Sequence, residues 1–208
     1  MTITIVCDVL GKENNGTTIA AMNLIRSLQE RGHSVRVVCS DPERAGKEGY
    51  YVVPRMNLGP LNSYVAKNGV ALSRPDRNIL NAALEGTDHV HVMIPFPLGT
   101  EAAKLARKKD LPLTAGFHCQ AENLTGHLFL KDLGLANRLA YQTFYHNLYR
   151  YCDLIHYPTQ FICDTFESVV GPTPHRIISN GVHKSFRPKT VEKPEALRSR
   201  FVVLFTGR

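Results

Sequence analysis

The strongest constraint on this chain is a repeated alternation of short β-branched runs with amphipathic helical stretches. Residues Thr2–Cys7 read TITIVC, bounded by Asp8 and Gly11, the pattern of a strand buried within a parallel sheet. The loop GKENNG leads into a helix whose Ala20, Leu24 and Leu28, with Ala21 and Ile25, make one apolar stripe. Gly32 ends that helix, and Ser34–Cys39 is a second strand, so the first 40 residues form a βαβ unit. A short strand at Tyr50–Val53 and a loop at Asn57–Asn62 follow. The rhythm then resumes with a helix at Asp76–Glu85, a strand at His89–Ile94, a helix at Gly99–Lys109 and a strand at Leu111–Phe117. Residues 127–151 read as helical with an interruption at Gly134. Asp153–Tyr157 is a strand, Gln160–Val169 a helix stopped by Gly171-Pro172, and Arg176–Ser179 a strand. The alternation predicts an α/β fold: a Rossmann-like, doubly wound, mainly parallel sheet. Such sheets bind ligands at the carboxyl ends of their strands, where Gly16, His118 and Asn180-Gly181 fall.

Composition removes several other classes. At 208 residues and 43% hydrophobic, the chain is one generous domain, or one domain plus a fragment of another. The start, MTITIVCDV, lacks the basic region of a signal peptide, and no run approaches the ~18 apolar residues of a membrane span. Five cysteines without a CxxC look like reduced thiols of a cytoplasmic protein, with neither a zinc site nor a disulfide framework. The net charge of +7 is lopsided, with 15 basic against 9 acidic side chains between 101 and 208. That excess suits an anionic membrane surface or a phosphate-rich ligand. Nucleic acid is not expected, because no recognition module is visible. Residues 175–208 alone hold eight basic and two acidic side chains, so much of the excess lies in the tail.

Individual residues admit two readings each. The loop at 11–16 opens a helix, whose free N–H groups attract phosphate, and Gly16 lets a ligand approach the backbone; otherwise it is a turn. It is neither a GxGxxG fingerprint nor a Walker loop. His118, in FHCQAEN after a strand, can bind a hydroxyl or move a proton, with Gln120 and Glu122 close enough to share its pocket; otherwise it is a surface-loop histidine. His89 and His91, alternating on one strand, read as structural. Tyr141, Tyr145 and Tyr149 form a helical stripe read as core or domain packing, the alternative being a lipid-facing surface. Lys104, Arg107, Lys108 and Lys109 share one helix.

These segments together resemble the amino-terminal domain of a family 4 glycosyltransferase. The resemblance runs through NNG followed by IAAMNLIRSLQERGHSVRVVCSD, then DHVHVMIPFPLG, LPLTAGFHCQAEN, CDLIHYPTQFICDTF, RIISNGVHKSFRP and FVVLFTGR. Any one motif is weak; six in order are strong. The resemblance implies a retaining, metal-independent enzyme of two facing Rossmann-like domains, the GT-B fold, of which this chain carries one half. Asn14-Asn15-Gly16 stands where Gly-Gly is commoner, so Asn15 and Gly16 would approach the donor diphosphate. His118 matches the histidine at the reaction centre and Arg208 an arginine that helps hold the diphosphate. Gln120, Glu122, Asn180 and Gly181 would contact substrate. His183 replaces a usual aspartate. FHCQAE looks most like enzymes that glycosylate diacylglycerol or related lipids.

The resemblance therefore implies transfer of a hexose from a nucleotide-sugar, without cofactor or metal, to an acceptor such as a membrane lipid. A cytoplasmic, peripherally membrane-associated protein is expected. The domains are expected at 1–181 (acceptor domain), 182–200 (linker) and 201–208, the first strand of a missing C-terminal donor domain. The isolated chain is then expected to fold without catalysing, with Phe201–Phe205 lacking its native neighbours. The competing reading is a stand-alone acceptor- or phosphate-binding module, or a partner subunit.

Overall fold

A computed structural model describes residues 1–8, 10, 16–57, 59, 72–126, 133–181 and 187–205. The elements run β1 (Thr2–Val6), α1 (Gly16–Glu30), β2 (Ser34–Cys39), β3 (Tyr50–Val52), α2 (Arg77–Leu84), β4 (His89–Val92) and α3 (Pro97–Lys108). They continue through β5 (Leu113–Gly116), α4 (Ala121–Gly126), α5 (Gly134–Asn147), β6 (Leu154–Tyr157), α6 (Gln160–Val170) and β7 (His175–Ile177). The seven strands form one sheet in the order β3-β2-β1-β4-β5-β6-β7, and every ladder is parallel. This is the expected Rossmann-like, doubly wound fold. The order reverses between β1 and β4, which opens a crevice at their carboxyl ends.

Local chemistry explains the helix ends. Gly32 (φ 80°) closes α1 as His33 N–H donates to the Leu28 carbonyl at 3.1 Å. Asp76 caps α2, accepting from Asn78 and Ile79 N–H at 2.9 and 3.2 Å. Thr159 caps α6 through Ile162 N–H, and Gly171 (φ 87°) ends it. A break is present at the expected place: Leu133 is not helical and Gly134 is the first residue of α5. A glycine costs little there because the first turn lacks the intrahelical bonds that an interior position would weaken. The upstream part of that expected helix, 127–132, lies outside the described residues.

The two faces of the sheet are covered unequally. On one, Val6, Val38, Val90, Val92, Leu113, Ala115, Ile155 and Tyr157 pack against α2 through α6. Phe166, fully buried, is the hub there: its ring lies 4.7 Å from Phe117, 5.3 Å from Tyr149 and 5.7 Å from Tyr141, centroid to centroid. The tyrosine stripe is core, the first of its two readings, since Tyr141 and Tyr149 are buried and Tyr145 half-buried; the alternative of a lipid-facing surface does not hold. The other face carries Ile3, Ile5, Val35, Val37 and Cys39 under the single helix α1, through Ala21 and Ile25. Among the described residues α1 is the one helix packed on that face, and a pocket lies between it and the β4 side chains His89 and His91. Residues 201–205 are exposed and in no strand, with Phe201 94% accessible.

Candidate functional site

At the crevice, Asp8 follows β1 and α3 begins beyond β4. Its carboxylate accepts from Leu98 N–H at 3.3 Å and Gly99 N–H at 3.2 Å. The positive pole of α3 is thus filled by a carboxylate of the chain itself. Gly99 makes this approach possible: a Cβ there would meet the Ile94 carbonyl oxygen at 2.5 Å and Val92 Cγ1 at 2.6 Å. Burial pushes the Asp8 carboxyl up to about 7, while hydrogen bonds from Leu98, Gly99 and Ser73 pull the other way.

The N-terminus of α1 is different. A Cβ built on Gly16 meets nothing within 4 Å among the described residues, and its φ is not in the left-handed region. The fold itself does not demand glycine there. Thr17 Oγ1 donates to the His118 carbonyl oxygen at 3.4 Å, so this helix start and the segment after β5 are adjacent. Asn15 and Arg208 lie outside the described residues.

His118 is placed at the carboxyl end of β5, yet its ring does not stand over the strand ends. The imidazole folds back across Gly116, so that a Cβ at 116 would collide with Nε2 and lie 2.5 Å from Cδ2. There it joins three other histidines on the α1 side of the sheet. His118 and His156 rings meet edge-on at 5.9 Å. Nε2–H of His156 donates to the Ile178 carbonyl. His91 Nδ1 and His89 Nε2 each hydrogen-bond Thr114 Oγ1 at 2.8 Å. His91 Nε2 is buried with no partner among the described residues. The register produces the cluster: Ile5 pairs with His91, His91 with Thr114, Thr114 with Leu154 and Gly116 with His156, all on one face.

The cluster lines an open pocket of about 460 Å³ between the sheet and α1, with Ile5, Leu24, Leu28 and Met93 as apolar wall and Ser179 and Asn180 at its polar side. His118 and Asn180 are therefore brought together. Gly181 (φ 69°) is exposed beside them, its N–H donated to Ser179 Oγ at 3.1 Å. Gln120 is half-buried in the turn before α4. Glu122 is engaged elsewhere, accepting from Tyr141 Oη at 2.6 Å. Burial, then the neighbouring His156, lowers the His118 pKa to about 4; burial and the other histidines lower that of His91 to about 3. At neutral pH both are uncharged, so they can donate or accept a hydrogen bond with a hydroxyl and present no cation. His91, whose strand position reads as structural, lines this pocket, as does His156, and Gly116 underlies the His118 ring; the motifs alone point to none of the three. The signal available for Gly116 was a glycine two residues before a histidine on the same face of a strand.

The chain matches the family profile described as Glycosyltransferase Family 4 over residues 14–186. It belongs to glycosyltransferase family 4. The family match spans α1, the histidine cluster and the Asn180-Gly181 turn. No curated protein matches the chain. Among solved structures it is similar to a UDP-GlcNAc 2-epimerase from Methanocaldococcus jannaschii, at 12% identity and TM-score 0.48, covering 81% of this chain and 42% of that one. It is also similar to a UDP-glucosyltransferase from Polygonum tinctorium, at 13% identity and TM-score 0.47, covering 95% and 55%. An alpha-glucosyltransferase solved with UDP and a 13-mer DNA matches at 16% identity and TM-score 0.45, covering 84% and 41%. The chain thus spans about half or less of these proteins' lengths.

Proposed function

We propose that this chain is the acceptor-side domain of a two-domain glycosyltransferase that moves a hexose from a nucleotide-sugar to an acceptor hydroxyl with retention of configuration. The observation that carries the reading is the family match over 14–186 together with His118 and Asn180 lining one pocket beneath α1, the start of that helix being tied to the His118 carbonyl through Thr17. The open backbone at Gly16 would let α1 present its N–H groups to the donor diphosphate, which electrostatically favours its departure. His118, uncharged and weakly basic, would hold the acceptor hydroxyl by a hydrogen bond. This fits front-face attack, in which the leaving diphosphate accepts the proton and no strong general base is required. No metal or other cofactor takes part in this scheme.

The acceptor in this reading is a lipid such as diacylglycerol. Two features support it. The pocket offers the apolar side chains of Ile5, Leu24, Leu28 and Met93 as well as the polar groups of His118 and Asn180, so an amphiphile would find both hydrocarbon contacts and a hydroxyl partner there. In addition, Lys104 and Lys108 on α3 and Lys109 just after it border a second groove, where Arg77 of α2 is paired with Glu101 at 2.6 Å; the three lysines leave a basic surface suited to anionic headgroups.

The test uses the protein together with its donor domain, incubated with labelled nucleotide-hexoses and vesicles containing diacylglycerol. The expected result is a labelled glycolipid whose anomeric configuration, read by NMR, matches the donor. The 208-residue chain alone should give none. Absence of hexose transfer by the two-domain protein, or inverted product, would overturn the reading, as would enzyme-like turnover by the isolated chain.

A further inference from the structure

The aromatic core reaches the proposed reaction site through two hydroxyl groups. Side chains alternate where β5 ends, so Gly116 and His118 share the side of the histidine cluster while Phe117 enters the core beneath α5. The Phe117 ring stacks on Tyr149 at 5.1 Å and lies 6.2 Å from Tyr141. Tyr141 stands on α5 and Tyr149 just past its end. The backbone that carries His118 therefore rests on these two tyrosines.

Each phenol is committed to that segment. Tyr149 Oη donates to the Gly116 carbonyl at 3.2 Å, in the interior. The β4–β5 ladder ends at Val92 and Ala115, so this carbonyl lies just beyond the pairing. Tyr141 Oη donates to Glu122 Oε2 at 2.6 Å, and Glu122 sits in the first turn of α4, shortly after His118. Burial raises both phenols above their usual range, with Glu122 adding to the rise at Tyr141, so both stay protonated as donors. From the other side, Thr17 Oγ1 donates to the His118 carbonyl at 3.4 Å. Residues 116–122 are thus held at both ends from the core and between them from α1. The His118 ring, already lying over Gly116, takes its direction from the backbone fixed in this way.

We propose that Tyr141 and Tyr149 are positioning residues, whose hydroxyls hold residues 116–122 so that the His118 imidazole meets the acceptor hydroxyl in the pocket. The inference rests on the reading of His118 as the acceptor's hydrogen-bond partner and adds the two groups that aim it. Neither tyrosine is among the described residues lining the pocket, so both act through the backbone rather than on substrate. Glu122 serves here as the link between α4 and α5. Such bracing matters because displacing a reacting group by about 1 Å can cost on the order of 10²-fold in rate. Tyr157 offers the comparison. It is fully buried and its ring lies 5.4 Å from Phe117. Its hydroxyl, however, bonds Thr173 Oγ1 at 3.0 Å, beside the Cys163–His175 contact and away from 116–122.

The experiment compares Tyr141→Phe, Tyr149→Phe and Tyr157→Phe, each of which removes one hydroxyl and keeps the ring in the core. In the 208-residue chain, NMR follows the titration of His118. Its midpoint is expected to move toward the ordinary histidine value of about 6.5 in Tyr141→Phe and Tyr149→Phe, because a loosened ring regains solvent. In Tyr157→Phe it should stay where the parent has it. In the two-domain enzyme, with a labelled nucleotide-hexose and diacylglycerol vesicles, Tyr141→Phe and Tyr149→Phe should each lower kcat/KM for the acceptor roughly fivefold or more. Tyr157→Phe should leave it within about twofold of the parent. An unchanged His118 midpoint in both Tyr141→Phe and Tyr149→Phe would overturn the proposal. So would activity losses that are equal in all three variants and track their melting temperatures, the behaviour of hydroxyls that only support the fold. A parent enzyme that transfers no hexose would overturn the reading of the reaction, while the NMR comparison decides the brace on its own.

Discussion

The imidazole of His118 occupies the space that a Cβ at position 116 would take. Gly116 thereby sets where His118 points: back over the sheet toward His156 and His91 instead of out past the strand ends. Gly116→Ala should displace the ring while the sheet stays intact, because the obstructing group is a side chain and can move. In an NMR pH titration the His118 imidazole is expected near 4 in the parent chain. In Gly116→Ala it should move back toward the ordinary value of about 6.5. An unchanged titration in the variant would refute the packing relationship.

Acid stability follows from the same cluster. His118 and His91 titrate lower in the folded chain than unfolded, at about 4 and about 3 against 6.5. Below 6.5 the unfolded state therefore binds more protons, and stability is lost as pH falls from 6.5 toward 4. Asp8 acts oppositely: its pKa is raised from 3.8 to about 7, so its contribution falls as pH rises through that interval. Two histidines outweigh one carboxyl, and the urea midpoint should drop on acidification across this window. His118→Gln should make the dependence shallower, by at most about 3 kcal/mol at the acid end. A midpoint that climbs on acidification would contradict this balance.

Two glycines at helix starts should respond differently to alanine. At Gly99 the new Cβ meets the Ile94 carbonyl, which is backbone and cannot move without shifting β4 or α3. The cost is expected at about 3 kcal/mol in chemical denaturation, in the range of severe overpacking. At Gly16 the space is open, so Gly16→Ala should be neutral or stabilise by about 0.5 kcal/mol. If the proposed donor approach is correct, the two-domain enzyme carrying Gly16→Ala should show a raised KM for its nucleotide-sugar while folding normally.

Phe166 anchors the aromatic core beneath α5 and α6, contacting Phe117, Tyr141, Tyr145, Tyr149 and Tyr157. Phe166→Ala should cost about 3–5 kcal/mol, and Phe166→Leu distinctly less, because a smaller cavity remains. Equilibrium unfolding measures both. Equal losses would show that the cluster contributes shape rather than buried volume.

Much of the fold was legible along the chain. The βαβ start could be read because β1 is flanked by polar and glycine signals and α1 carries a 3.6-residue stripe closed by Gly32. Each of those is a local property of neighbouring residues. The break at Gly134 was legible for the same reason, since a glycine within a helical pattern marks a helix boundary. The site was less legible. His118 could be placed by its position after a strand, but the direction of its ring depends on Gly116 and on His156 from the next strand. Glu122 looked available for substrate, and only the packing of α5 against α4 shows its carboxylate bound to Tyr141.

The sequence by itself determined the alternation of strands and helices, the parallel sheet that follows from it, and the family to which the motifs belong. These depend on local periodicity and on residue order, both written along the chain. Tertiary structure alone decided which side chains meet across strands: the four-histidine face, the Asp8 carboxylate at the start of α3, and Cys163 against His175. Such contacts are set by strand register and by which helix covers which face. A shift of one residue would turn the strand side chains His89, His91, His156 and His175 to the other side of the sheet.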